Sequence, residues 1–193
     1  MIEAGSKLDR VPLADLLPRL DLPEAAAALL PAEAAPAVAL TALVAAGFLD
    51  EAAQLAAHAL PRREAVWWAC MCAEATAPNS LPEPQRAASQ AAQDWVRRPG
   101  DDTSRRAWAA AEQAGMDSPE AWCAVAAHWS GPSIAPSGLD QVPPAPHLTA
   151  VAVLGALKLA AIRTPAPQHA ATWQRFIVAA QDIATGGLGR AAP

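Results

Sequence analysis

Cys70, Cys72, Cys123 and His128 are the residues whose types could hold a metal or act as a nucleophile. Their spacing argues against both. On a helix, Cys70 and Cys72 point about 200° apart, so one ion cannot easily take both sulfurs. Cys123 and His128 are five apart and also miss a common face. The chain has no Cys-x-x-Cys, His-Glu-x-x-His, Gly-x-Ser-x-Gly or phosphate-cradling glycine loop. A dyad of Cys123 with a distant histidine is open to any chain with three cysteines and four histidines. Glu64 beside Trp67 could be a buried acid, but one carboxylate is not an acid–base pair. The residues predict no catalytic group, no cofactor and no metal.

Arginines are the more informative polar residues. Arg62 and Arg63 fall in a predicted first helical turn, where the helix dipole disfavours cations. An acidic side chain, the carbonyl end of another helix, or a partner must hold them. Arg63 can also lie over Trp67 one turn later. A second pair, Arg105 and Arg106, has Asp101 and Asp102 close by to neutralise it. His128 falls at a predicted helix C-terminus, where a protonated ring would complement the dipole.

These residues sit on elements punctuated by proline and glycine. Helices are expected over residues 13–20, 23–30, 36–46, 50–60, 61–75, 82–97, 102–115, 119–129, 148–162 and 168–184. Gly47 reads as a left-handed C-cap, and the seventh helix stops at Gly115. Asp50 and Asp102 or Thr103 read as N-caps, and Ser118-Pro119-Glu120 as a strong helix start. Residues 1–20 form an N-terminal arm or short helix. The glycine-rich end, residues 186–193, is expected to fray.

The fifth helix is uncharged from Ala65 to Ala73 and apolar all round, so it should be the buried centre, with Trp67 and Trp68 both in the core. On the eighth, Trp122, Ala126 and Trp129 form one apolar stripe. The motif Gly47-Phe48-Leu49-Asp50-Glu51-Ala52 echoes a tetratricopeptide helix, but no second copy stands at the required period. One long irregular segment remains, residues 130–147, rich in Pro and Gly. Segments of this length are either spanning connectors or functional loops, and its prolines make it stiff.

Composition agrees. The chain has 193 residues, no Tyr, two Phe and 53% hydrophobic residues. Alanine, the strongest helix former, dominates, so the fold class is all-α, a single-domain irregular multi-helix bundle or short α-solenoid. With 14 basic and 19 acidic residues the net charge is −5, which argues against a nucleic-acid surface. The longest low-charge runs fall short of the roughly 20 residues of a membrane span. No secretory leader is legible. Three cysteines, an odd number in apolar helices, read as reduced buried thiols. The expected location is the cytoplasm. The oligomeric state is left open.

The run Leu60-Pro61-Arg62-Arg63-Glu64-Ala65-Val66-Trp67-Trp68-Ala69-Cys70, with Trp129-Ser130-Gly131-Pro132-Ser133-Ile134-Ala135-Pro136 later, resembles an uncharacterised helical domain family of Proteobacteria. Its members are often encoded beside type VI secretion genes. The resemblance implies a cytoplasmic accessory role, as an adaptor or chaperone whose protein partner is a secretion effector or machinery component. The residues expected to form the partner face are Arg62 and Arg63 with Ser130, Ser133, Ile134, Ser137, Leu139 and Val142. The alternatives are a small helical enzyme or ligand-binding domain, with a pocket between Trp129, His128 and the loop, or an immunity protein against a toxin.

Overall fold

Local signals place most of the helices. Ser118 caps α8 (Pro119–Trp129) by accepting a bond from the Ala121 amide, with Pro119 in the first turn. Gly115 ends α7 (Asp101–Ala114) at φ 84°, a conformation in which a Cβ would be strained. The structure is a computed structural model that describes residues 6–190. Before α7 lie α3 (Pro36–Ala45), α4 (Leu49–Ala59), α5 (Arg62–Ala75) and α6 (Glu83–Arg97); after α8 come α9 (Leu148–Ile162) and α10 (His169–Ala184). No strand occurs among the described residues, and the fold is all-α.

Two expected caps differ. Asp50 lies inside the first turn of α4, where its carboxylate accepts from Gln54 and pairs with Lys158 at 3.5 Å. α7 opens at Asp101 with Gly100 at the cap position and no side-chain cap; Asp102 and Thr103 lie inside the first turn, where the Thr103 hydroxyl donates to the carbonyls of Arg98 and Gly100. The helices expected over 13–20 and 23–30 shrink to single turns, α1 (Leu13–Leu16) and α2 (Glu24–Ala27). Two 3-10 turns, η1 (Lys7–Arg10) and η2 (Leu17–Arg19), flank α1. From residue 6 on, this start takes the form of short helical turns: Leu8, Leu13 and Leu16 are buried, and η1 and α1 pack on α4.

α5 packs against α6, α8, α9 and α10. It shares the centre with α8, which touches α5, α6, α7 and α9 and buries nine of its eleven residues. Contacts such as α4 with α9 and α10 close the helices into a bundle and leave no one-dimensional array. Trp68 is fully buried, and its indole N–H donates to the Phe176 carbonyl at 2.7 Å. Trp67, expected in the core, is only half-buried: it packs against the edge of the core, and the chain beyond α10 lies over it. Its indole donates to the Leu188 carbonyl at 2.9 Å. Within the described residues that tail is not frayed. The Gly189 amide donates to Asp182 at 2.8 Å, and the Gly187 amide to the Asp182 carbonyl. The expectations for residues 1–5 and 191–193 lie outside the described residues. Cys70, Cys72 and Cys123 are reduced and buried, and apolar burial pushes the Cys72 thiol up.

Candidate functional site

The long segment is built outward from the start of α7 and the end of α8. Ser104, in the second turn of α7, is wholly buried, and its hydroxyl donates to the His128 carbonyl at 3.2 Å. His128 Nδ1 lies 3.2 Å from both the Ser104 carbonyl and the Ser104 hydroxyl. A carbonyl only accepts, so Nδ1 carries the proton and Nε2 is left as an acceptor. Burial pulls the His128 pKa below the ordinary value; the bond to the Ser104 carbonyl opposes it, Arg105 adds to it, and Asp101 and Glu112 oppose it. Gly131 is required next to this pair, because a Cβ there would collide with Ser104.

Beyond Gly131 the chain forms a closed loop. The buried Ser133 hydroxyl accepts from the amides of Ala135, at 3.1 Å, and Val142, at 3.0 Å. The Ile134 amide donates to the Val142 carbonyl at 2.9 Å. Arg105 joins the loop to α7: Nε donates to Asp101 at 2.8 Å and Nη1 to the Ala135 carbonyl at 2.8 Å. At the far end the Ser130 hydroxyl donates to the Ala126 carbonyl and meets Thr149 at 3.0 Å. These bonds hold the loop while Ile134, Leu139 and Val142 remain 38%, 67% and 50% exposed. That is the geometry of an Ω-loop, whose ends meet and whose own groups close it.

Against the loop lies a cleft of about 260 Å³, lined by Arg105, Trp108, His128 and residues 134–137. The Trp108 and His128 rings stand 4.9 Å apart, tilted by 38°. The expected pocket beside His128 and the loop is present, but Trp108 forms its aromatic wall. Trp129 turns away to meet Trp122 edge-on at 6.4 Å. The Ser104–His128 pair has hydrogen-bond distance without nucleophile geometry. Its hydroxyl is buried, and it already donates to the His128 carbonyl.

Of the expected partner face, Ile134, Ser137, Leu139 and Val142 are exposed on the loop, Ser130 is half-buried with its hydroxyl bonded to Ala126, and Ser133 is buried inside the loop. Arg63 donates to the Val96 carbonyl at 2.6 Å, so the carbonyl end of α6 is what holds it. Arg62 is exposed, with no ion pair among the described residues. Arg63 opens on a separate cleft of about 330 Å³ with Lys7, Glu64, Trp67 and Leu188. Both clefts flank the α6–α7 corner, but the structure does not bring the arginines and the loop into one. Glu64 is no isolated acid: Lys7 pairs with it at 3.1 Å.

Sequence reasoning missed Ser104, Trp108 and the bond from Arg105 to the loop. Only the closeness of Arg105 to Asp101 was legible. Also missed was Glu120, buried in the first turn of α8 and held by Arg163 through two bonds of 2.7 Å. Among the described residues no three histidine, cysteine or carboxylate side chains cluster as a metal site, and no helix is long and apolar enough to cross a membrane.

An all-helical bundle that fixes an exposed apolar loop over a His–Trp cleft is the class of protein defined here. Residues 39–184 match DUF6931, described as a family of unknown function, and the chain belongs to that family. The match runs from α3 to the last residue of α10 and takes in the loop and its cleft. No curated protein and no solved structure gave a significant match.

Proposed function

We propose that the protein is a non-enzymatic protein-binding accessory protein that docks its partner on the loop over residues 134–142. One observation carries this reading. The loop is locked by Ser133, Arg105 and the Ile134–Val142 pair, yet it spends those bonds on presenting three aliphatic side chains to solvent. Folding gains nothing from exposed aliphatic groups, whereas a preformed apolar loop loses little freedom on binding. The neighbouring cleft, with Trp108 and Pro136 as walls and His128 at one side, suits one partner side chain. The partner class follows from the resemblance: a secretion effector or a component of a type VI machine, met in the cytoplasm, with the protein as adaptor or chaperone.

A second reading, a small-ligand domain, is favoured by the His128 imidazole, whose Nε2 has no hydrogen-bond partner among the described residues. The two readings separate in one experiment. Leu139→Ser with Val142→Ser should leave the melting temperature of the isolated protein unchanged. It should weaken capture of the native partner at least about tenfold, near 1.4 kcal/mol. His128→Gln would leave capture intact if the ligand reading held. Loss of the melt in the loop variant, or full capture by it, would overturn the docking loop.

A further inference from the structure

At the other end of the long segment, three cationic or titratable side chains meet in a cleft of about 420 Å³ that no carboxylate lines. Arg19 is the last residue of η2, His58 lies in the last turn of α4, and His147 directly precedes α9. Among the described residues none of the three has a hydrogen bond or an ion pair with another side chain. Asp50, at the other end of α4 from His58, is engaged by Gln54 and Lys158. The remaining walls are Pro18, Pro146 and Val151. In a chain with 19 acidic against 14 basic residues, a cleft lined by one arginine and two histidines and by no carboxylate departs from the average surface.

The effect on His58 shows that the cleft lacks a counter-charge. Burial first, then Arg19 and His147, push its pKa down to about 4, and no acid opposes them. Arg19 and His147 both disfavour a charge on the His58 ring, and a bound anion would favour it.

We propose that this cleft binds a small phosphomonoester, its phosphate between Arg19, His58 and His147 and its organic part against Pro18, Pro146 and Val151. A guanidinium fork can give a phosphate two charge-assisted bonds, and each imidazole can donate a further N–H to its oxygens. The proline and valine walls offer nothing to a polar group and a flat surface to an apolar one. Binding needs no chemical step. Arg19 lies outside the residues matched by the family, whereas His58 and His147 lie within them.

The test uses the intact protein with phenyl phosphate, inorganic phosphate and phenol as probes, followed by calorimetry and by the imidazole signals of His58 and His147 in NMR. Phenyl phosphate should bind, inorganic phosphate should bind more weakly, and phenol should not bind. The His58 pKa should rise on saturation. Arg19 is exposed on a 3-10 turn, so Arg19→Gln should keep its fold by circular dichroism while weakening phenyl phosphate at least about tenfold. His58→Gln should weaken it as well. Absence of binding at about 10 mM phenyl phosphate, a weaker limit than any functional site, would overturn the site. So would undiminished binding by Arg19→Gln, or saturation that leaves both imidazoles unmoved. Equal affinity for the two phosphates would overturn the role of the apolar walls.

Discussion

Glu120, in the first turn of α8, is 2% exposed, and both its oxygens accept from Arg163 at 2.7 Å. A buried pair contributes little net stability, but removing one member leaves the other charged and dry. Arg163→Met should therefore cost about 3–5 kcal/mol, read as a lower urea midpoint. Glu120→Gln added to it should recover part of the loss. A single variant as stable as wild type would show that the carboxylate finds water. His58 and His128 act at the same scale through protons. Both have pKa values lowered by burial, His58 to about 4. The unfolded chain takes these protons near pH 6.5, before the folded one does. Their stabilisation is therefore present above about pH 6.5 and lost as pH falls towards 4. His58→Gln should lose less melting temperature than wild type between about pH 7 and pH 4.5. An identical acid loss in both would remove His58 from the account.

At the scale of elements, α5 and α8 carry the core. Trp68→Ala removes the largest fully buried side chain of the protein together with its bond to the Phe176 carbonyl. It should cost about 3–5 kcal/mol, a large share of the stability of such a domain. Trp67→Ala, at a half-buried position, should cost clearly less, and thermal melts of the two variants decide the order. The close approach of α8 and α9 depends on Gly155. A Cβ there would stand 2.9 Å from Trp122 Cε3. That ring is pinned by its bond to the Met116 carbonyl and by Trp129. Alanine would gain up to about 1 kcal/mol of helix propensity, whereas overpacking costs about 1–3 kcal/mol. Gly155→Ala should thus destabilise on balance, and a raised melting temperature would show that the two helices can part without loss.

The whole molecule is tied by contacts that span the chain. The tail reaches from α10 to Trp67, 121 residues away in sequence. Gly187 and Gly189 permit this, since a Cβ at either would collide with Asp182 or Ile183. Gly187→Val should release the tail, expose the Trp67 indole and shift its fluorescence to the red. The stability loss should be of the order of the one or two hydrogen bonds broken, about 1–2 kcal/mol. Unchanged emission would mean that the tail does not cover Trp67 in solution.

Much of the helical layout was legible in the residues, because its causes are local. Ser118-Pro119 opens α8, Gly115 and Gly47 supply positive φ, and the absence of charge from Ala65 to Ala73 marks a helix with no solvent face. The long segment also stood out, since it has neither helical period nor caps. Its inner design did not. A serine in a loop looks the same whether it faces water or, like Ser133, accepts two amides that close nine residues. For Arg63 the residues offered an acid, the carbonyl end of another helix or a partner; that the bond goes to Val96 at the end of α6, 33 residues on, was decided by packing. Glu120 read as an ordinary first-turn acid until α9 brought Arg163 over it. Which residues can be helical is decided by backbone sterics and caps within a few positions. Which polar groups are buried, which arginine meets which carbonyl, and which aliphatic groups stay wet are decided only when packed helices bring distant residues together. That burial is what turns weak, screened interactions into strong ones.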